Sequence, residues 1–122
     1  MTVLYHNPRC SKSRTAAALC EASDIDVDIH LYLVNPLSKE VLHDVLSRLD
    51  GPISAAIRSK DLKFKEVDSS SLDPESLDSV VEFLSIHGYL MERPLLDTGF
   101  VSVIGRPLEH TFLCKIVGKE VV

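Results

Sequence analysis

The sequence predicts an α/β domain that opens β-α-β, passes through a helical middle and closes β-β-α. Three observations carry this. An apolar, β-preferring run at Val3 to Tyr5 is cut off by Asn7-Pro8. A stretch of helix formers then leads into a strictly alternating segment from Asp26 to Leu33. Near the other end, Leu95-Leu96-Asp97 and Phe100 to Ile104 flank Thr98-Gly99, a hairpin signal.

Taken in order, the first strand ends at Asn7-Pro8. A helix is expected from Ser11 to Glu21 or Ala22, with Ala16, Ala17, Ala18 and Leu19 as its strong formers. Cys20 lies on an apolar stretch of it and is read as core. In the second strand Val27, Ile29, Leu31 and Leu33 share one face. Asp28, His30 and Tyr32 share the other, which is expected to be solvated, as on a sheet edge. Two strands joined by a helix over thirty-odd residues should be parallel. Ser38 is a good N-cap for a helix to about Leu49, whose stripe is Val41, Leu42, Val45, Leu46 and Leu49. Ser59 to Val67 is a weak helix anchored by Leu62, Phe64 and Val67. Asp73-Pro74-Glu75 reads as the next helix start, with Gly88 as its stop. Residues of about 38–88 thus form a helical insertion within a single 1–122 domain. A last helix is expected from Leu108 to about Val117, carrying Cys114. The whole order is that of a thioredoxin/glutaredoxin-like core, in which a cis-proline precedes the third strand. Pro94 is in that place, so the Arg93–Pro94 bond is expected to be cis.

Composition bounds the function. The chain has 122 residues, 45% hydrophobic and 25% charged, with net charge −5. The acidic balance argues against nucleic-acid binding. No apolar run reaches transmembrane length and no signal peptide is read ahead of the first strand, so no membrane association is expected. Three cysteines at irregular spacing do not make a disulfide framework, and a reducing cytoplasmic location fits them. His6 and Cys10 could be half of a metal site, but no second pair accompanies them, and no metal is expected.

Cys10 is the candidate nucleophile. It falls on a strand-to-helix turn, where unpaired backbone N–H groups and the helix dipole favour an anion. Most lone cysteines near turns are small buried hydrophobes, so magnitudes matter. A thiol of pKa near 8.5 is only about 3% ionised at pH 7, and lowering it by two units takes about 2.7 kcal/mol. One exposed helix terminus supplies roughly 0.3–1 kcal/mol. A neighbouring cation or directed hydrogen bond is therefore required. His6, Arg9, Lys12 and Arg14 lie close in sequence. Two reaction classes fail on spacing. A phosphatase loop needs arginine six residues after the cysteine, where this chain has Ala16. A dithiol couple needs cysteine three residues after it, where this chain has Ser13. Unless Cys114 moves far, the resolving thiol comes from outside, which points to monothiol chemistry.

The run His6-Asn7-Pro8-Arg9-Cys10-Ser11-Lys12-Ser13-Arg14 resembles the active-site motif of the glutaredoxin-coupled arsenate reductases, a thioredoxin-like family that also holds Spx-like regulators and uncharacterised reductase-like proteins. Ile57-Arg58-Ser59-Lys60, Glu92-Arg93-Pro94 and Ile104-Gly105-Arg106-Pro107 fall in order where that family has its later landmarks, and the likeness spans the chain. The resemblance implies that Cys10 attacks arsenate, and that Arg58, Arg93 and Arg106 bind the oxyanion. It implies that His6 helps keep Cys10 ionised and that Ser13 hydrogen-bonds the sulfur. It further implies glutathione as co-substrate, glutaredoxin as partner and no bound cofactor. Guanidinium groups suit the task, since two anions must meet and arginine does not lose its proton. The alternatives are a non-catalytic Spx-like interaction module and a glutathione-linked thiol reductase for another substrate.

Overall fold

Four strands make one sheet, in the order β2-β1-β3-β4. The computed structural model describes residues 2–22 and 26–104. Arg106, Cys114 and the expected last helix lie outside the described residues. β1 spans Thr2–His6, β2 Val27–Leu31, β3 Leu95–Asp97 and β4 Ser102–Ile104. β1 runs parallel to β2 and antiparallel to β3, and β3 and β4 form the expected antiparallel hairpin. α1 (Ser11–Ala22) joins β1 to β2. Between β2 and β3 lie α2 (Lys39–Ser47), α3 (Leu77–Ile86) and three short 3₁₀ turns.

The sheet is covered on both faces, and strand periodicity decides what goes where. Leu4 opposite Leu96, with Val103, faces Ala16 and Cys20 of α1. The next residues along, Tyr5 opposite Leu95, face α2 and α3 through Leu42, Leu46, Val80 and Leu84. Cys20 is 2% exposed, as expected of core. Full burial of one leucine such as Leu4 contributes roughly 1.5–3 kcal/mol.

Several boundaries differ from expectation. The polar face of the alternating segment is solvated only at Asp28. That face lies on the α2/α3 side, so His30 packs against Tyr5 with ring centroids 5.3 Å apart, and Tyr32 is buried at 3% exposure. On the apolar face Ile29 is 47% and Leu31 36% exposed, and Val27 alone of that face in β2 packs against the cluster under α1. α3 begins at Leu77, not at Asp73. Ser76 caps it by accepting from the Ser79 N–H, while Asp73 takes the Glu75 N–H and closes a separate turn. α3 stops at Ile86 with His87 as its C-cap, and Gly88 opens a 3₁₀ turn instead. The weak helix contracts to a 3₁₀ turn at Leu62–Glu66, capped by Asp61, and Leu62 is 75% exposed rather than an anchor. β4 starts at Ser102, since Thr98 and Val101 close a turn in which Gly99 takes φ +90°, a conformation natural to glycine.

One buried ion pair ties the insertion to the sheet. Arg48, just past α2, donates from Nε to Asp97 Oδ1 at 3.2 Å and from Nη2 to Oδ2 at 2.6 Å. Asp97 also accepts from the Gly99 N–H, and the Ser102 hydroxyl donates to the Val45 carbonyl at 2.8 Å. Burial pushes Asp97 up, but Arg48 and the Gly99 N–H outweigh it and hold the carboxyl below its usual range. Its stabilisation is therefore present above the unfolded carboxylate's pKa of about 4 and is lost as pH falls through the lower folded value. Arg48→Ala would leave a nearly buried carboxylate without its main partner. The expected loss is about 3 kcal/mol, or roughly 10 °C in Tm, with acid unfolding beginning at higher pH. Thermal melts at several pH values check both.

Candidate active site

The loop after β1 delivers Cys10 to the start of α1. The Cys10 N–H donates to the Asn7 carbonyl and the Cys10 carbonyl accepts from the Arg14 N–H, both at 3.0 Å. Cys10 is therefore the N-cap residue of α1. Its sulfur takes the role of a capping oxygen and accepts from the backbone N–H groups of Lys12 and Ser13, the second and third helical residues. The loop is braced from behind. Asn7 Oδ1 accepts from the Arg9 N–H at 3.0 Å, and Arg14 Nη1 donates to the Pro8 carbonyl at 2.8 Å.

His6 and Ser13 belong to that brace. Ser13 is fully buried, its Oγ accepting from the Asn7 N–H at 3.0 Å and lying 2.7 Å from His6 Nδ1. Burial, then the charge of Arg14, lowers the His6 pKa, so the ring is neutral at pH 7 and Nδ1 can accept the Ser13 hydroxyl proton. His6 thus supplies no positive charge to the sulfur. Ser13 reaches the sulfur through its backbone N–H, while its hydroxyl is engaged with Asn7 and His6.

The required cation is Arg93. Burial pushes the Cys10 thiol up, but the Arg93 side-chain hydrogen bond, the Ser13 N–H, the Arg93 charge and the Lys12 N–H more than reverse it, and the thiol lies below its ordinary pKa. Arg93 is aimed by its place in the chain. The Arg93–Pro94 bond is cis, as expected, and the fully buried Pro94 leads directly into β3.

Cys10, Lys12, Arg58, Glu92 and Arg93 line one open cleft of about 880 Å³. Arg58 is carried on a segment paired with the one that bears Arg93. Ile57 bridges antiparallel to Met91, the Arg58 N–H donates to the Leu90 carbonyl at 2.8 Å, and the Glu92 N–H donates to the Ala56 carbonyl at 2.7 Å. Two arginines separated by 35 positions in sequence thereby reach one cleft. Sequence reasoning missed the carboxylates beside them. Arg58 Nη1 donates to Glu92 Oε1 at 3.1 Å, and its Nε and Nη2 both lie 3.3 Å from Asp61 Oδ2. The i,i+3 spacing of Arg58 and Asp61 was a visible signal. Glu92 gave only its adjacency to Arg93. Among the described residues no group of three or more His, Cys, Asp or Glu side chains is placed to hold a metal ion. Among them, too, no helix is long and apolar enough to cross a membrane.

A lowered thiol at a helix N-terminus and at the edge of an arginine-lined cleft, on a sheet whose third strand follows a buried cis-proline, defines a thioredoxin-like protein. The chain belongs to the ArsC family, whose sequence profile matches residues 5–111. It is 37% identical over 111 residues to the arsenate reductase of Neisseria meningitidis, covering 88% of this chain and 92% of that one. It is equally identical over 119 residues to the protein YfgD of Escherichia coli, covering 94% of this chain and 95% of that one. The solved arsenate reductase of Vibrio cholerae superposes with a TM-score of 0.75 at 33% identity, over 89% of this chain and 92% of that one.

Proposed function

We propose that the protein reduces arsenate to arsenite with Cys10 as nucleophile. Arsenate enters the cleft and is held by Arg93 and Arg58, with Arg106 as a third contributor. The Cys10 thiolate attacks arsenic; an S–As bond forms as one As–O bond breaks, and the departing oxygen leaves as water after protonation. Glutathione's thiolate then attacks the Cys10 sulfur. The S–As electron pair stays on arsenic, which falls from As(V) to As(III) and leaves as arsenite. Cys10 is left as a mixed disulfide with glutathione, which glutaredoxin reduces, as expected in a reducing cytoplasm. Two thiols supply the two electrons, and Ser13 in place of a second local cysteine is the reason one of them must come from outside.

The observation that carries this reading is the contact between Arg93 and Cys10. One guanidinium both lowers the thiol and borders the cleft, so the same group that makes the nucleophile can hold its electrophile. The test is NADPH oxidation coupled through glutathione reductase. Arsenate-dependent turnover is expected, with loss of most of it when glutaredoxin is left out. Turnover independent of glutaredoxin contradicts the resolving step, and none with every component present contradicts arsenate as substrate.

A further inference from the structure

The cleft already contains negative charge in the place where a substrate anion would be bound. Glu92 lines it, and Glu92 Oε1 accepts both from Arg58 Nη1 and from the Arg93 backbone N–H, each at 3.1 Å. One carboxylate oxygen thus sits between the two residues that would hold an oxyanion. We propose that Glu92 is a resident counter-anion of the cleft, whose carboxylate occupies the Nη1 side of Arg58 and must be outcompeted by an incoming tetrahedral oxyanion. This rests on reading the cleft as an oxyanion site.

Glu92 is not needed to aim Arg58. The Arg58 backbone is fixed by its bond to Leu90 and by the adjacent Ile57–Met91 bridge, and Asp61 holds the Nε and Nη2 edge. Asp61 is itself anchored, accepting from the Lys63 N–H at 2.8 Å. The two carboxylates therefore divide the guanidinium: Asp61 orients it, and Glu92 fills the remaining side. An entering dianion meets a partly neutralised arginine and a like charge beside it. Glu92 accordingly sets the anion affinity of the site, and removing its charge should strengthen binding rather than weaken it.

The test reads protection of Cys10 from iodoacetamide by inorganic sulfate and by arsenate, at constant ionic strength, with labelling located by peptide mass spectrometry. Glu92→Gln keeps the shape and removes the charge, and the apparent Kd for sulfate is expected to fall about tenfold. Glu92→Ala removes the carboxylate outright and carries the same expectation should the glutamine variant fold poorly. Asp61→Asn is the comparison; Asp61 also lines the cleft but orients Arg58, so losing its charge is expected to leave sulfate binding unchanged or weaker, not tighter. Unchanged or weaker binding in the Glu92 variants overturns the proposal, and so does equal tightening by Asp61→Asn, which would mean diffuse charge alone. Tightening without arsenate turnover in any variant would support the counter-anion while removing arsenate reduction. Turnover in the parent protein without tightening in the variants would do the reverse.

Discussion

Replacing Cys10 by serine is expected to lower arsenate reduction at least about 10³-fold while leaving the fold as stable as before. The two outcomes are linked by the position of the side chain. Cys10 is the N-cap of α1, and serine is among the best N-cap residues, its oxygen able to take the N–H groups of Lys12 and Ser13 that the sulfur takes. Chemistry has no such substitute. A serine hydroxyl is hardly ionised at neutral pH, so the stabilisation from Arg93 and the helix terminus falls on a group that stays protonated. Oxygen also cannot form the disulfide with glutathione whose formation leaves two electrons on arsenic. Equal melting temperatures with collapsed turnover would separate a nucleophile from a structural thiol; equal turnover would show that Cys10 is not the reacting group.

Arg93→Ala is the second large effect. It removes the side-chain hydrogen bond and the charge of Arg93 acting on Cys10, leaving, among the described residues, the backbone N–H groups of Ser13 and Lys12 to oppose burial. The thiol pKa must therefore rise, and the thiolate fraction at pH 7 must fall. The same change removes one donor from the oxyanion, so the rate is expected to drop about 10²–10³-fold, more than lost ionisation alone would cause. Part of the loss should return at high pH, where the thiol ionises unaided, and the part that does not return measures oxyanion binding. Arg93→Lys should recover charge but not the forked geometry of a guanidinium, so it belongs between alanine and the parent residue.

Much of this site was legible in the chain because its parts are local. The break at Asn7-Pro8, the helix formers after it and the basic residues nearby place a cysteine at a helix N-terminus, which is where Cys10 lies. The hairpin follows from short-range signals too, while the cis bond before Pro94 follows from the element order of the whole chain. Side-chain pairing across long separations was not legible. Nothing in the one-dimensional pattern says that Arg58 meets Glu92, 34 positions away, because the Ile57–Met91 pairing that joins them is one isolated bridge without a periodic signature. Tyr32 was misplaced for a related reason. Alternation in β2 gives two faces but not which helices cover them, and here the face with more polar residues is the one turned to the larger core. His6 illustrates a third limit: its proximity in sequence suggested a cation, whereas burial and Arg14 make it a neutral partner of Ser13.

The most direct test of the central claim is the pH profile of Cys10 alkylation by iodoacetamide, followed at the Cys10 peptide in the parent protein and in Arg93→Ala. A midpoint clearly below the ordinary thiol value of about 8.5, moving upward in the variant, is the expected result. An ordinary or raised midpoint that Arg93→Ala leaves in place would contradict the claim that this arginine makes the nucleophile.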